Sequence, residues 1–416
     1  MKCFDTYYQY YNVFQPLIKT PAPQNPGPKI VIPCYNEPDI EPSIRALFNS
    51  RRAKKITEII LVINSSECDT PEVLNQNLLC EQKALGLKSE LDDDNLKLEI
   101  INIKNLPAKH AGVGFARKIG MDEAVRRFDA ANIKEGVIIN FDADSLCNND
   151  YIAAIDDFFM KNKKLRACSI RFLHPCTGND FSQETYSAIT DYELYLRYYR
   201  TACQYTGFPY AFHTLGSSFA VRADVYAAAG GMNRRKAGED FYFLQKIISG
   251  GNYKNLNKAV VYPSPRKSDR VPFGTGAAIT AILNSEHSTL KVYDFSAFAM
   301  LKELFLQVDK LYDGNNLVVS NPMTDFLNIN NFDDALVNMR QNSSKIKSFT
   351  KRFFTWFDAF RLLKFLNFIH TDKPVINKID INIAAIDLLK ELGYINLPGN
   401  NKDLLEFYRT NVDKDE

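Results

Sequence analysis

The sequence predicts an α/β protein, with a mostly parallel sheet, helices on both faces, and a mainly helical C-terminal region. Three observations carry this. Short Ile- and Val-rich runs recur between residues 29 and 140, and loops and segments of helical apolar spacing alternate with them. The last of these runs, Val137-Ile138-Ile139-Asn140, leads into Phe141-Asp142-Ala143-Asp144-Ser145, where two carboxylates stand one residue apart. After Pro272 the helical period dominates to the end of the chain.

Taken in order, residues 1–28 read as an aromatic, polar lead-in, and Pro21-Ala22-Pro23-Gln24-Asn25-Pro26-Gly27-Pro28 favours an extended connector over a helix. Lys29-Ile30-Val31-Ile32-Pro33 is a first strand, and a helix follows from Ile40 to Phe48. Ile59 to Ile63 is a buried second strand, Asn64 to Thr70 a polar loop, and Pro71 sits in the first turn of the next helix. The acidic run within residues 88–97 is expected to be a solvated loop. Leu98 to Ile103 forms a third strand and Val113 to Phe128 a helix that leads to the aspartate-bearing strand. Further on, Ala167 to Ile170 predicts a strand, Glu184 to Tyr199 an aromatic-rich helix, and Phe208 to Arg222 a loop and strand. Phe298, Leu301, Leu304, Phe305, Val308 and Leu311 mark one apolar helical face. The expected division is an N-terminal extension (1–28), a catalytic domain (29–285) and a helical region (286–416).

Composition excludes some functions. A net charge of +2 over 416 residues gives no field that would hold nucleic acid. The 8 cysteines lack C-x-x-C spacing, which argues free thiols in a reducing compartment and no zinc site. The N-terminus lacks a signal-peptide core and no run of 18 apolar residues occurs, so a cytoplasmic protein is expected. Residues 344–370 interleave Lys345, Lys347, Lys351, Arg352, Arg361 and Lys364 with aromatics. Such a segment either lies on an anionic membrane as a peripheral contact or packs its aromatic face into a core.

Ligands of open parallel sheets bind outside the carboxyl ends of the strands, which places the Asn36, Asp69 and Asp142 loops in one crevice. Asp142 and Asp144 leave the same edge of their strand and can converge on one cation. Hard oxygen ligands of this kind suit Mg²⁺ or Mn²⁺, held by one or two carboxylates with substrate phosphates completing the shell. An isolated D-x-D is equally at home in a solvated turn or a helix N-cap, so its neighbours decide.

Four stretches in order supply those neighbours: Ile30-Val31-Ile32-Pro33-Cys34-Tyr35-Asn36-Glu37; Gly112 to Gly120, containing Ala116-Arg117-Lys118; Phe141-Asp142-Ala143-Asp144; and Gly216-Ser217-Ser218, Gly230-Gly231 and Gly238-Glu239-Asp240 together. In order and spacing they resemble the inverting family 2 glycosyltransferases of the GT-A fold, over about residues 29 to 250.

The resemblance implies a metal-dependent transfer of a sugar, of hexosyl or N-acetylhexosaminyl class, from a nucleoside diphosphate sugar to a hydroxyl of a saccharide or lipid-linked acceptor. It assigns the donor to Pro33, Tyr35, Asn36, Glu37, Asn64, Asp69, Asp142 and Ala143. Asp142 meets the ribose, and Asp144, with Asp142, the metal. Asp240 becomes the base that deprotonates the acceptor, with Glu239 orienting acceptor or base. Asn64 stands where the family usually has an acidic residue, and Lys118 where it usually has Asn. Lys109, Arg117 and Lys118 are candidate diphosphate ligands, as are Arg266 and Arg270 in the Pro- and Gly-rich stretch 263–276. His287 is the candidate third metal ligand. The alternative is a catalytically silent nucleotide-sugar binding module.

Overall fold

Strand β1 (Pro26–Cys34) is buried at every position, because it lies in the middle of the sheet. This computed structural model describes residues 4–234, 238–268, 274–285, 290–372 and 374–413. A short helix, α1 (Asp5–Tyr10), precedes β1, so the N-terminal lead-in is partly helical, and β1 itself begins within the proline-rich stretch. Then follow α2 (Glu41–Asn49), β2 (Ile56–Ser66), α3 (Pro71–Leu91), β3 (Leu96–Leu106), α4 (Val113–Ala130) and β4 (Val137–Asn140). Helix α3 extends to Leu91, which shortens the expected loop. Asp93 Oδ1 then accepts from the N–H groups of Asn95 and Leu96 at 2.7 and 2.8 Å and turns the chain into β3.

After β4 come β5 (Leu146–Cys147), α5 (Tyr151–Lys161), β6 (Ala167–Phe172), α6 (Gln183–Tyr205), β7 (Phe219–Arg222), α7 (Ala223–Ala228), α8 (Glu239–Ile248), β8 (Tyr253–Tyr262) and α9 (Thr275–Leu283). The sheet order is β3-β2-β1-β4-β7-β6-β8-β5, with β1 to β4 parallel to one another, β6 parallel to β8, and β7 and β5 antiparallel to their neighbours. The mostly parallel sheet with flanking helices is the expected one. In register, Ile30 pairs with both Ile59 and Ile139, and the parallel strands β1, β2 and β4 run their carboxyl ends to the same side of the sheet. Three loops consequently open on one edge.

The chain forms two compact units, one of described residues 4–181 and 214–280, the other of 182–213 and 281–413. Helix α6, which the sequence places inside the catalytic stretch, therefore belongs to the second unit. That unit also holds β9 (Lys291–Val292), α10 (Phe295–Phe305), α11 (Val308–Tyr312), α12 (Asn321–Ile329), α13 (Phe332–Gln341), α14 (Ile346–Trp356), α15 (Ala359–Asn367), β10 (Ile379–Asp380), α16 (Ile381–Glu391) and α17 (Asn401–Phe407). It is mainly helical, as expected. The aromatic face of α14 turns inward: Phe349 and Phe353 are fully buried, and the Phe353 ring lies 6.2 Å from Phe305 and 6.3 Å from Phe332. Those side chains pack a core, and Lys345, Lys347, Lys351 and Arg352 face solvent. Among the described residues no helix is long and apolar enough to cross a membrane.

Candidate active site

The loop after β1 begins the site. Asn36 adopts φ +48°, a left-handed conformation that Asn tolerates better than most residues. Its N–H donates to Asn77 Oδ1 at 2.8 Å, and Asn77 Nδ2 donates to the Asn64 carbonyl at 3.0 Å, so α3 ties the loop to the end of β2. Asn64 is buried there. Tyr35 donates its hydroxyl to Asp69 Oδ1 at 2.8 Å, while Asp69 Oδ2 accepts from the Ser66 N–H at 2.7 Å. Pro33 is the last residue but one of β1, and the carbonyl of Glu37 accepts from Gln76 Nε2 at 2.8 Å.

Glu37 is a buried carboxylate, and such a group needs a cation. Arg266 provides one. Its two terminal nitrogens meet Glu37 Oε1 and Oε2 at 2.8 Å each, and Nη2 also reaches Asp144 Oδ2 at 2.9 Å. Bonding to Glu37 raises the Arg266 pKa; burial opposes the rise and the Asp144 charge adds to it. Arg266 thus bridges the loop after β1 and the second aspartate of the D-x-D pair.

Arg117, in the first turns of α4, makes the second bridge. Its guanidinium, 5% exposed, donates to Asp142 Oδ1 at 2.6 Å and to Glu239 Oε1. Burial pulls its pKa down, but the charges of Asp142, Glu239 and Asp240 outweigh that and raise it. The strand-end loop and the N-terminus of α8 are thereby joined through one side chain. Gly216 has to be glycine here. A Cβ would lie 2.4 Å from Arg117 Nη2, and a guanidinium held by two carboxylates cannot move aside.

Asp240 follows as the second residue of α8. Its Oδ1 accepts from the Phe241 N–H at 2.7 Å. Burial pushes its carboxyl above the usual range; Arg117 and backbone groups at Phe241 and Gly216 pull it back, and the Asp142 charge adds to the rise. Glu239 is raised as well, by burial first, with Arg117 opposing and Asp240 adding to it. Two adjacent carboxyls with raised pKa values and one shared cation make a proton acceptor above the ordinary acid range.

The structure therefore brings Glu37, Asp142, Asp144, Glu239 and Asp240 together around Arg117 and Arg266, with Tyr35, Asn36, Asn64 and Asp69 on the adjoining loops and Ala143 buried between the paired aspartates. Two expected diphosphate ligands lie elsewhere or are otherwise engaged. Lys118 is buried against Tyr7 and Asp122, and Arg117 is engaged by protein carboxylates. Lys109 is exposed. Arg270 and His287 lie outside the described residues. Among the described residues no three His, Cys, Asp or Glu side chains converge as a metal cage. Asp142 and Asp144, each paired with a guanidinium, are the hard oxygen donors that would meet a cation held by one or two carboxylates with substrate oxygens. Sequence reasoning missed the clamp of Arg117 on Glu239, the only signals for which were an Arg and a Gly inside the two glycine-containing motifs.

Residues 29–229 match the family described as Glycosyl transferase family 2. Glu239 and Asp240 lie just beyond the matched stretch. Comparison with curated proteins gives no match. Among solved structures, S. aureus TarS 1-349 in complex with UDP-GlcNAc is similar at 14% identity and a TM-score of 0.40, over 92% of this chain and 91% of that one. The complex of the same protein with UDP is similar at 15% identity and a TM-score of 0.38, over 68% and 71%. The family match, on a mostly parallel sheet whose strand-end loops carry this acidic site, makes residues 29–229 a glycosyl transferase family 2 domain with the GT-A fold.

Proposed function

We propose that this glycosyltransferase is an inverting enzyme that transfers a hexosyl or N-acetylhexosaminyl group from a nucleoside diphosphate sugar to a hydroxyl of a saccharide or lipid-linked acceptor. The observation that carries the reading is the Arg117 clamp, which draws Glu239 of α8 and Asp142 of the post-strand loop onto one guanidinium and seats Asp240 beside them. Asp240 takes the acceptor proton as the acceptor oxygen forms its bond to the sugar and the diphosphate leaves with the electrons of the broken bond. Burial keeps its proton affinity above that of an ordinary aspartate. Tyr35, Asn36 and Glu37 border the nucleoside, with Asn64 and Asp69 at the adjoining strand end. Asp144, with Asp142, would hold Mg²⁺ or Mn²⁺, which supplies countercharge to the departing diphosphate. Arg266 is held by Glu37 and Asp144, but its side chain is 25% exposed where that of Arg117 is 5%, so it is the guanidinium that would turn to the phosphates.

A silent binding module is the alternative, and it has no use for a buried base. A cytoplasmic site of action at the inner face of a membrane is part of the proposal. It would rest on the solvent-facing cations of α14 alone, which salt-sensitive binding to anionic vesicles checks.

Thermal unfolding against UDP-, GDP-, CMP- and dTDP-sugars, each with and without Mn²⁺, tests the donor site. The reading expects a rise in Tm that needs metal and one nucleotide together and is lost in Asp144→Ala. No rise with any pair overturns it.

A further inference from the structure

The N-terminal lead-in reaches the turn that follows α7 and precedes the helix of the proposed base. Tyr7 of α1 is 3% exposed and its hydroxyl donates to Asp122 Oδ1 of α4 at 2.5 Å. Tyr226 of α7 donates to the same oxygen at 2.6 Å, and Lys118 Nζ donates to Tyr7 Oη at 2.8 Å. Three elements thus share one buried carboxylate. Directly after α7 the chain turns at Gly230 and Gly231, at φ +79° and +74°. A Cβ on Gly231 would sit 2.3 Å from Tyr7 Oη, and one on Gly230 would sit 3.0 Å from Tyr11 Cε1. The turn rests on the two tyrosines, whose rings stack at 5.8 Å.

A second support lies a few residues on. Arg234 lies over the Phe115 ring at 5.4 Å, and Phe14 of the lead-in packs on the same ring at 6.0 Å. Asn233 Nδ2 donates to the Glu239 carbonyl at 3.3 Å, which connects this stretch to α8. The lead-in is itself fastened to α4: the N–H groups of Leu17 and Ile18 donate to the Glu123 carboxylate at 3.2 and 3.3 Å, and Arg126 donates to Asn12 and to the Phe14 carbonyl. Helix α4 also carries Arg117. The start of α8 is therefore held at Glu239 by the Arg117 clamp, and the lead-in meets the preceding chain at Gly230, Gly231 and, through Phe14 and Phe115, at Arg234.

We infer that residues 4–18 are a positioning element of the active site, in which Tyr7 and Tyr11 set the Gly230-Gly231 turn and through it the approach of Glu239 and Asp240. The inference rests on the reading of Asp240 as the base. A base displaced by a fraction of its hydrogen-bond length loses turnover while the donor, bound by the loops of β1 and β2, is held as before.

The test uses the full chain with Tyr7→Phe, which keeps the ring and removes the hydroxyl, and Tyr11→Ala, at a position half open to solvent where folding is not at stake. Hydrogen exchange is followed for peptides within 226–248 and, as reference, within β1 to β4. Exchange in 226–248 is expected to speed up about tenfold with the reference unchanged. The kcat for transfer falls about ten- to a hundredfold while the KM for the donor stays within about twofold, and Tyr11→Phe restores both readouts. Unchanged exchange in 226–248, an equal rise in every peptide, or a loss expressed in KM alone overturns the inference. The exchange readout needs no substrate. Selective loosening in a chain that responds to no donor therefore counts against the transferase reading, and unchanged exchange in a chain with intact donor response counts against the positioning role.

Discussion

Arg117 shows how one residue sets both stability and pH response. Its partners lie 25 and 122 positions away, so nothing in the local pattern marks it as a clamp. A long cation on a helix reads as solvated, or as a phosphate ligand, until Gly216 is seen to make room for it. That Asp142 and Asp144 follow a strand and that Asp240 stands at a helix start was legible from the β-branched run before the pair and the apolar spacing after Asp240. Removing the guanidinium in Arg117→Gln leaves the buried Glu239 unpaired and is expected to cost about 3–5 kcal/mol in urea denaturation. The same variant moves the pH profile. Asp240 works only when ionised, so kcat/KM falls as pH drops through its pKa. Burial puts that limb above the value of about 3.9 for a free aspartate. Arg117 holds the pKa down, so Arg117→Gln moves the limb to higher pH. A limb that stays in place shows that the titrating group is not beside Arg117.

At the scale of elements, the strands β1 to β4 were legible because buried parallel strands are continuous β-branched runs. β8 was not, because Lys254, Asn255, Asn257 and Lys258 interrupt it and its register with β6 shifts between Ile170 and Arg171. The structure of the lead-in was hidden for a related reason. Its partners on α4, Asp122, Glu123 and Arg126, look like surface charges in the sequence and become buried anchors only when residues 4–18 cover them. Helix α14 offered two fates for one aromatic face, and periodicity cannot choose between a core and a membrane. The core reading predicts that Phe353→Ala, at a fully buried position, destabilises the helical unit by about 3–5 kcal/mol, read by chemical denaturation of the full chain. A change below about 0.5 kcal/mol would contradict that packing.

For the molecule as a whole, the order of elements and the helical character of the C-terminal region were readable, but the membership of α6 was not. A helix declares its period in sequence and not which neighbours it packs on. In the second unit Arg197 of α6 pairs with Glu193 and Asp413, and Arg409 pairs with Glu193 as well. Tyr198 donates to the Tyr293 carbonyl at 2.8 Å. A chain ended at residue 285 keeps α6 and removes these partners. It is expected to bind a hydrophobic dye and aggregate where the full chain stays monodisperse, as size-exclusion chromatography would show. A soluble, cooperatively melting 1–285 fragment would mean that α6 finds other partners.

The central claim is that the acidic site performs transfer with Asp240 as the base. Asp240→Asn keeps the shape of the side chain and removes its ability to accept a proton. With the donor that the unfolding panel identifies, the account predicts an unchanged metal-dependent rise in Tm and a loss of transfer rate of about a hundred- to ten-thousandfold. Transfer at the wild-type rate in Asp240→Asn would contradict it.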